Sequence, residues 1–159
     1  MISAAVITLS DKGSAGERRD VSGPLIADIL QDIAIVLYYE LLPDEKKQIC
    51  DCLLKYVDRV DLILTTGGTG LSPRDVTPEA TRMVIEREIP GIAEAMRLEG
   101  LKKTDRAMLS RAIAGVRGQT LIINLPGSPK AVRENLMVIR EVLPHAVQKI
   151  KGDPSECGQ

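Results

Sequence analysis

The chain contains no Phe and no Trp, and only three Tyr. Its core must therefore be built from Leu, Ile, Val and Ala, and the aromatic platforms on which single-stranded nucleic acids stack their bases are missing. An excess of one charge sign is missing too. Against 22 Asp and Glu stand 21 Lys and Arg, a formal net charge of -1, which is no electrostatic footprint for DNA. Cysteine is scarce: Cys50, Cys52 and Cys157 form no C-x-x-C pair. Cys50 and Cys52 sit two apart on a helical stretch and point to different faces, so a zinc site from them is not expected. They read as small buried hydrophobes in a protein of the reducing cytosol. No apolar run approaches the roughly 20 residues of a membrane span. The early "AAVITL" lacks the basic leader of a signal peptide. The expectations are a cytoplasmic protein with neither a nucleic-acid nor a membrane partner.

What is present is an alternation. The 159 residues suit one domain, which hides about 70 % of its unfolded-chain surface without staples. β-branched and apolar runs at 2–10, 34–42, 60–66 and 120–125 read as strands. Between them, 23–33, 43–57, 77–88, 90–102 and 128–150 carry apolar residues at helical spacing, with Pro24 and Pro78 opening helices and Pro144 expected to kink or split the last one. The stretch 109–125 reads as a hairpin about Arg117-Gly118 or as a short edge element entering a central strand. Strands alternating with helices predict an α/β fold: three layers, a mostly parallel central sheet with helices on both faces, and room for an antiparallel edge strand. One domain over 1–152 is expected, with a frayed tail at 153–159.

In such a sheet the strand C-termini share one rim, and ligands bind there. The polar residues collect at those ends. The first strand runs into Ser10 and Asp11, the second into Pro43, Asp44 and Glu45. The third runs into "GGTGLSPRD" and the last into "PGSPK" (126–130). Asp44, Thr77 and Ser128 lie where helix caps are expected. The middle loop is too long and too glycine-rich for capping alone. Gly67, Gly68 and Gly70 allow backbone N–H groups to form an anion-binding nest, Arg74 offers a planar fork for phosphate, and Lys130 places a cation at a helix start, where an anion or plain solvation accounts for it. The loop is not a P-loop, which needs G-x-x-x-x-G-K-[ST], and Pro73 blocks the dinucleotide pattern G-x-G-x-x-G. Asp44 and Asp75 would repel an anion on this rim unless a cation such as Mg²⁺ lies between them; Asp75 reads equally as a turn residue bonding its own backbone. His145, the single histidine, reads as structural.

"TTGGTGLSPRDVTPEAT" (65–81) with "INLPGSPKAV" (123–132) closely resembles the molybdopterin adenylyltransferase family of molybdenum-cofactor synthesis, the MogA/MoaB type. "SDKGSAGERRDVSGP" (10–24), "LLPDE" (41–45) and "LSRAIAGVRGQTL" (109–121) add to the likeness, in order along nearly the whole chain. The resemblance implies Mg²⁺, with ATP and molybdopterin as substrates, adenylylated molybdopterin and pyrophosphate as products, a homotrimer, and hand-over to a molybdenum insertase. It places the functional acids at Asp44 and Asp75, which are also the tentative Mg²⁺ ligands. It places the nucleotide and molybdopterin pocket at Thr66, Gly67, Gly68, Thr69, Gly70, Ser72, Arg74, Pro126, Gly127, Ser128 and Lys130, with Ser10, Asp11 and Ser110 nearby. Non-catalytic pterin or nucleotide binders and nucleotide hydrolases share such domains and stand as alternatives.

Overall fold

A computed structural model describes residues 1–155; Cys157 and the end of the expected tail lie outside the described residues. The strands are β1 (Ile2–Leu9), β2 (Ala34–Leu42), β3 (Leu62–Thr66), β4 (Arg87–Glu88), β5 (Ala114–Arg117) and β6 (Thr120–Leu125). They form one sheet in the order β2-β1-β3-β6-β5-β4. β2, β1, β3 and β6 run parallel, while β5 is antiparallel to β6 and β4 to β5. The expected mostly parallel sheet with an antiparallel edge is what forms, and the 114–125 segment is a hairpin turning at Gly118, whose φ is +55°.

The helices are α1 (Asp11–Ser14), α2 (Ser22–Leu30), α3 (Lys46–Tyr56), α4 (Thr77–Val84), α5 (Pro90–Leu101), α6 (Pro129–Ile139) and α7 (Leu143–Ile150). Alternate residues of each central strand feed two cores, because successive side chains in a strand leave opposite faces. Val6, Leu64 and Ile123 pack with Ile26, Leu136 and Leu143 from α2, α6 and α7. Ile7, Ile63 and Ile122 pack with Ile49, Leu53 and Val84 from α3 and α4. β3 is buried along its whole length, as a strand covered on both faces must be. Cys52 joins the second core and burial pushes its thiol up to about 12. Among the described residues, no helix is long and apolar enough to cross a membrane.

Several local expectations are corrected. The 77–88 helix ends at Val84, because Arg87–Glu88 leave it to pair with β5. That pairing needs Gly115, where a Cβ would lie 2.6 Å from the Arg87 carbonyl, and Pro90 holds the preceding residue out of helix. The expected split of the 128–150 helix does occur, at a 3-10 turn, Arg140–Val142, with Pro144 in the first turn of α7. Asp44 and Thr77 are not caps: Glu45 and Val76 occupy those positions without a side-chain bond. Ser128 is a cap, accepting from the Ala131 amide at 3.3 Å. The α1 turn was not foreseen; Ser10 caps it by accepting from the Gly13 amide at 2.9 Å.

Candidate functional site

The parallel register sets Leu9 beside Leu42, and Thr66 beside both Thr8 and Leu125. Their C-terminal ends, with α1 and the segment before α2, enclose a cavity of about 460 Å³. Ser10, Asp44, Thr66, Gly67, Gly68, Asp75, Gly127 and Ser128 line it. Thr69, Gly70, Ser110 and Pro126 line instead a second cavity of about 280 Å³, between α5, α6 and the 105–110 segment. The glycine turn is therefore shared: its first half faces one cavity and its second half the other.

The turn owes its shape to where its carbonyls go. Gly67 O accepts from the Thr77 hydroxyl at 2.9 Å and Gly68 O from the Thr77 amide at 3.1 Å. Thr69 O accepts from the Arg111 amide at 3.0 Å and Gly70 O from Arg111 Nε at 2.8 Å. All carbonyls of the turn are taken. The Gly67 amide is also taken, by Leu125 O at 3.1 Å, which removes it from the expected nest. Among the described residues, the amides of Gly68, Thr69 and Gly70 have no protein acceptor. Such a set of unpaired donors suits an anion. Glycine is required at 67, where φ is +101° and a Cβ would lie 2.3 Å from the Leu9 carbonyl.

The acids sit at the rim of the larger cavity. The Asp11 amide donates to Asp44 Oδ2 at 3.1 Å, and the Asp44 amide to Asp11 Oδ1 at 2.9 Å. Burial pushes the Asp44 carboxyl above its ordinary range, and the charges of Asp11 and Asp75 push the same way. Asp75 Oδ2 accepts from the Ser72 amide at 2.9 Å, the turn contact expected of it, yet Asp75 also lines the cavity.

Arg74 is not a free phosphate fork. It binds Asp11 through Nε and Nη2, both at 2.9 Å, and Glu45 through Nη2 at 2.9 Å. Its guanidinium holds the Asp11 carboxyl below the usual carboxylate range. Arg74, Asp11, Ser72 and Lys130 line neither cavity. The cations that do line the larger one are Arg18 and Arg19, just before α2. Sequence reasoning missed them, together with Asp20, although "ERRD" lay inside a stretch already marked. Asp20 accepts from the Thr8 hydroxyl at 2.8 Å, from the amides of Ser22 at 3.0 Å and Gly23 at 3.2 Å, and from the Tyr39 hydroxyl. It ties the start of α2 to β1 and β2. Ser22 then donates to Gly127 O at 2.8 Å and Thr66 to Pro126 O at 2.7 Å, fixing the loop after β6. His145 is exposed on α7 and lines neither cavity.

Among the described residues, no group of three or more His, Cys, Asp or Glu could by itself hold a metal ion. Two carboxylates on one cavity, Asp44 and Asp75, fit a divalent cation only if oxygens of a ligand complete its shell, the habit of Mg²⁺ on phosphates.

The chain is similar to known proteins over most of its length. The family model described as "Probable molybdopterin binding domain" matches residues 5–145. Molybdopterin adenylyltransferase of Helicobacter pylori (strain ATCC 700392 / 26695) is 42% identical over 157 residues, covering 96% of this chain and 89% of its own length. The molybdenum cofactor synthesis protein cinnamon of Drosophila melanogaster is 45% identical over 97% of this chain, which spans only 26% of that larger protein. The crystal structure of the molybdopterin biosynthesis enzyme MoaB from Thermus thermophilus superposes with a TM-score of 0.91 at 53% identity, covering 98% of this chain and 100% of its own.

Proposed function

The chain belongs to the molybdopterin-binding domain family, and from that premise we propose that it is a molybdopterin adenylyltransferase of molybdenum-cofactor biosynthesis, moving AMP from ATP to the terminal phosphate of molybdopterin. The observation that carries the residue-level reading is the glycine turn. Its carbonyls are all occupied and the amides of Gly68, Thr69 and Gly70 are left for oxygens of a ligand; Gly68 lines one cavity with Asp20, Asp44, Asp75, Arg18 and Arg19, and Thr69 and Gly70 line the next.

The nucleophile needs little help. A phosphate monoester has a second pKa of about 6 and is mostly a dianion at neutral pH. Its oxygen attacks the α-phosphorus of ATP, the bond to the β-phosphate oxygen breaks, and pyrophosphate leaves. No general base is required. The obstacle is charge: a dianion must approach a triphosphate, so positioning and neutralisation are the protein's contribution. The Gly68–Gly70 amides would hydrogen-bond phosphate oxygens, and Arg18 and Arg19, which line the same cavity as Gly68, would supply positive charge. Asp44 and Asp75 would hold Mg²⁺ against the phosphates, and the ion would neutralise charge that the protein's own cations do not reach. The second cavity, lined by Thr69 and Gly70, the next residues of the turn after Gly68, would give the other substrate a place.

In this reading the enzyme works in the cytoplasm as a homotrimer on small-molecule substrates and passes its product to a molybdenum insertase. The test is incubation of the purified protein with ATP, Mg²⁺ and molybdopterin. Pyrophosphate release that requires all three supports the reading. No release, with both ligands bound, makes it a non-catalytic binder, and release without molybdopterin makes it a nucleotide hydrolase.

A further inference from the structure

Arg111 lines neither cavity, yet it binds the 69–79 segment along its length. Its amide donates to Thr69 O at 3.0 Å, Nε to Gly70 O at 2.8 Å and Nη2 to Asp75 O at 2.7 Å, while Nη1 pairs with Glu79 in the first turn of α4. Gly70 and Asp75 are the two ends of the loop stretch 70–75. One guanidinium therefore bridges the ends of that loop and fastens it to α4.

We propose that Arg111 is the positioning residue that places the Asp75 carboxylate in the cavity and keeps the Gly68–Gly70 amides beside it. Within the loop, Asp75 is oriented only by local bonds: its amide donates to Ser72 O and its Oδ2 accepts from the Ser72 amide, both at 2.9 Å. Those bonds shape the loop but do not anchor it to the sheet. Two arginines do: Arg74 reaches out of the loop to Asp11 and Glu45, and Arg111, whose own segment leads directly into β5, holds the backbone at both ends of the loop, including the carbonyl of Asp75 itself. Gly70 lies so close to the acid that a Cβ there would sit 2.8 Å from Asp75 Oδ2, so a shift of the Gly70 carbonyl moves the carboxylate with it. A lysine cannot reproduce this. Its ammonium is a point charge on a flexible stem, whereas the planar guanidinium reaches two carbonyls and a carboxylate at once.

This inference rests on the reading of Asp75 as the phosphate-facing acid, and the experiment separates the two. Arg111→Gln, Arg111→Lys and Glu79→Gln are compared with wild type by amide hydrogen exchange and by steady-state kinetics. Exchange over residues 70–76 should rise about tenfold or more in both Arg111 variants while β1, β3 and β6 stay protected. The kcat should fall about 10- to 100-fold in Arg111→Gln, with Arg111→Lys intermediate and KM for molybdopterin within about twofold. Glu79→Gln, which leaves both carbonyl contacts, should lose least. Unchanged exchange over 70–76 overturns the proposal. So does a rise spread evenly over the sheet with kcat per folded molecule unchanged, since that describes general support of the fold. If wild type itself releases no pyrophosphate, the assignment of function fails, and the exchange data still decide whether Arg111 holds the loop.

Discussion

Asp11 and Asp44 cap each other across the ends of β1 and β2, each backbone amide donating to the other's carboxylate at 3.1 and 2.9 Å. The exchange holds two like charges side by side, and they are not treated alike. Arg74 grips Asp11 through two bonds, while Asp44 is partly buried and shares its cavity with Asp75. The rim thus keeps one neutralised acid and one that, among the described residues, has no direct cationic partner, which is the arrangement a cation bridging to phosphate would relieve.

The pH dependence follows from the direction of the Asp44 shift. Because its folded-state pKa is raised, the folded protein holds that proton more tightly than the unfolded chain does. Ionisation of Asp44 therefore weakens the fold as pH rises past the ordinary carboxylate value of about 4. Asp44→Asn should melt at or above the wild-type temperature at neutral pH, and the difference should close as the pH falls below about 4. Melting curves across that range check it, and a variant less stable than wild type at neutral pH contradicts it.

Asp75→Asn keeps the shape of the side chain and removes its charge. Turnover should fall about 100- to 1,000-fold, the range for loss of a preorganised electrostatic contact, with the melting temperature nearly unchanged. Full pyrophosphate release at limiting Mg²⁺ would remove Asp75 from the site.

The arginines should separate. Arg74 is half exposed and engaged with Asp11 and Glu45, and exposed pairs of this kind contribute about 0–1 kcal/mol. Arg74→Ala should therefore cost little stability and change KM for ATP less than the double change Arg18→Ala with Arg19→Ala. A larger KM effect from Arg74→Ala would show that it leaves Asp11 to bind substrate.

Two glycines make a stability contrast. Gly67→Ala drives a methyl into the Leu9 carbonyl at positive φ, whereas Gly91→Ala in α5 meets nothing within 4 Å. The first should cost about 2–4 kcal/mol and the second less than about 0.5 kcal/mol, read from urea denaturation midpoints.

The sheet was legible because its signal is local: β-branched runs at Ile2–Leu9, Leu62–Thr66 and Thr120–Leu125 alternate with helical periodicity. β4 was not, since Arg87 and Glu88 become a strand only through pairing with a distant glycine, Gly115. The site was half legible. That Asp44, Asp75 and the start of the glycine turn would meet was legible because strand ends share a rim. Arg74's engagement was not legible because its partners, Asp11 and Glu45, are brought to it by tertiary contacts that no spacing reveals. Arg18 and Arg19 were overlooked because nothing in "ERRD" itself distinguishes cavity cations from solvated ones. Arg111 lies in the motif stretch 109–121, but its carbonyl partners lie some 40 residues earlier in the chain.

The central claim is that the rim over β1, β3 and β6 holds the phosphates. The most direct measurement is a crystal structure with Mg²⁺ and a non-hydrolysable ATP analogue. The triphosphate should contact the amides of Gly68, Thr69 and Gly70, with the ion between it and Asp44 or Asp75. A triphosphate bound at the opposite edge of the sheet, near Asp58 and Gly118, would contradict it.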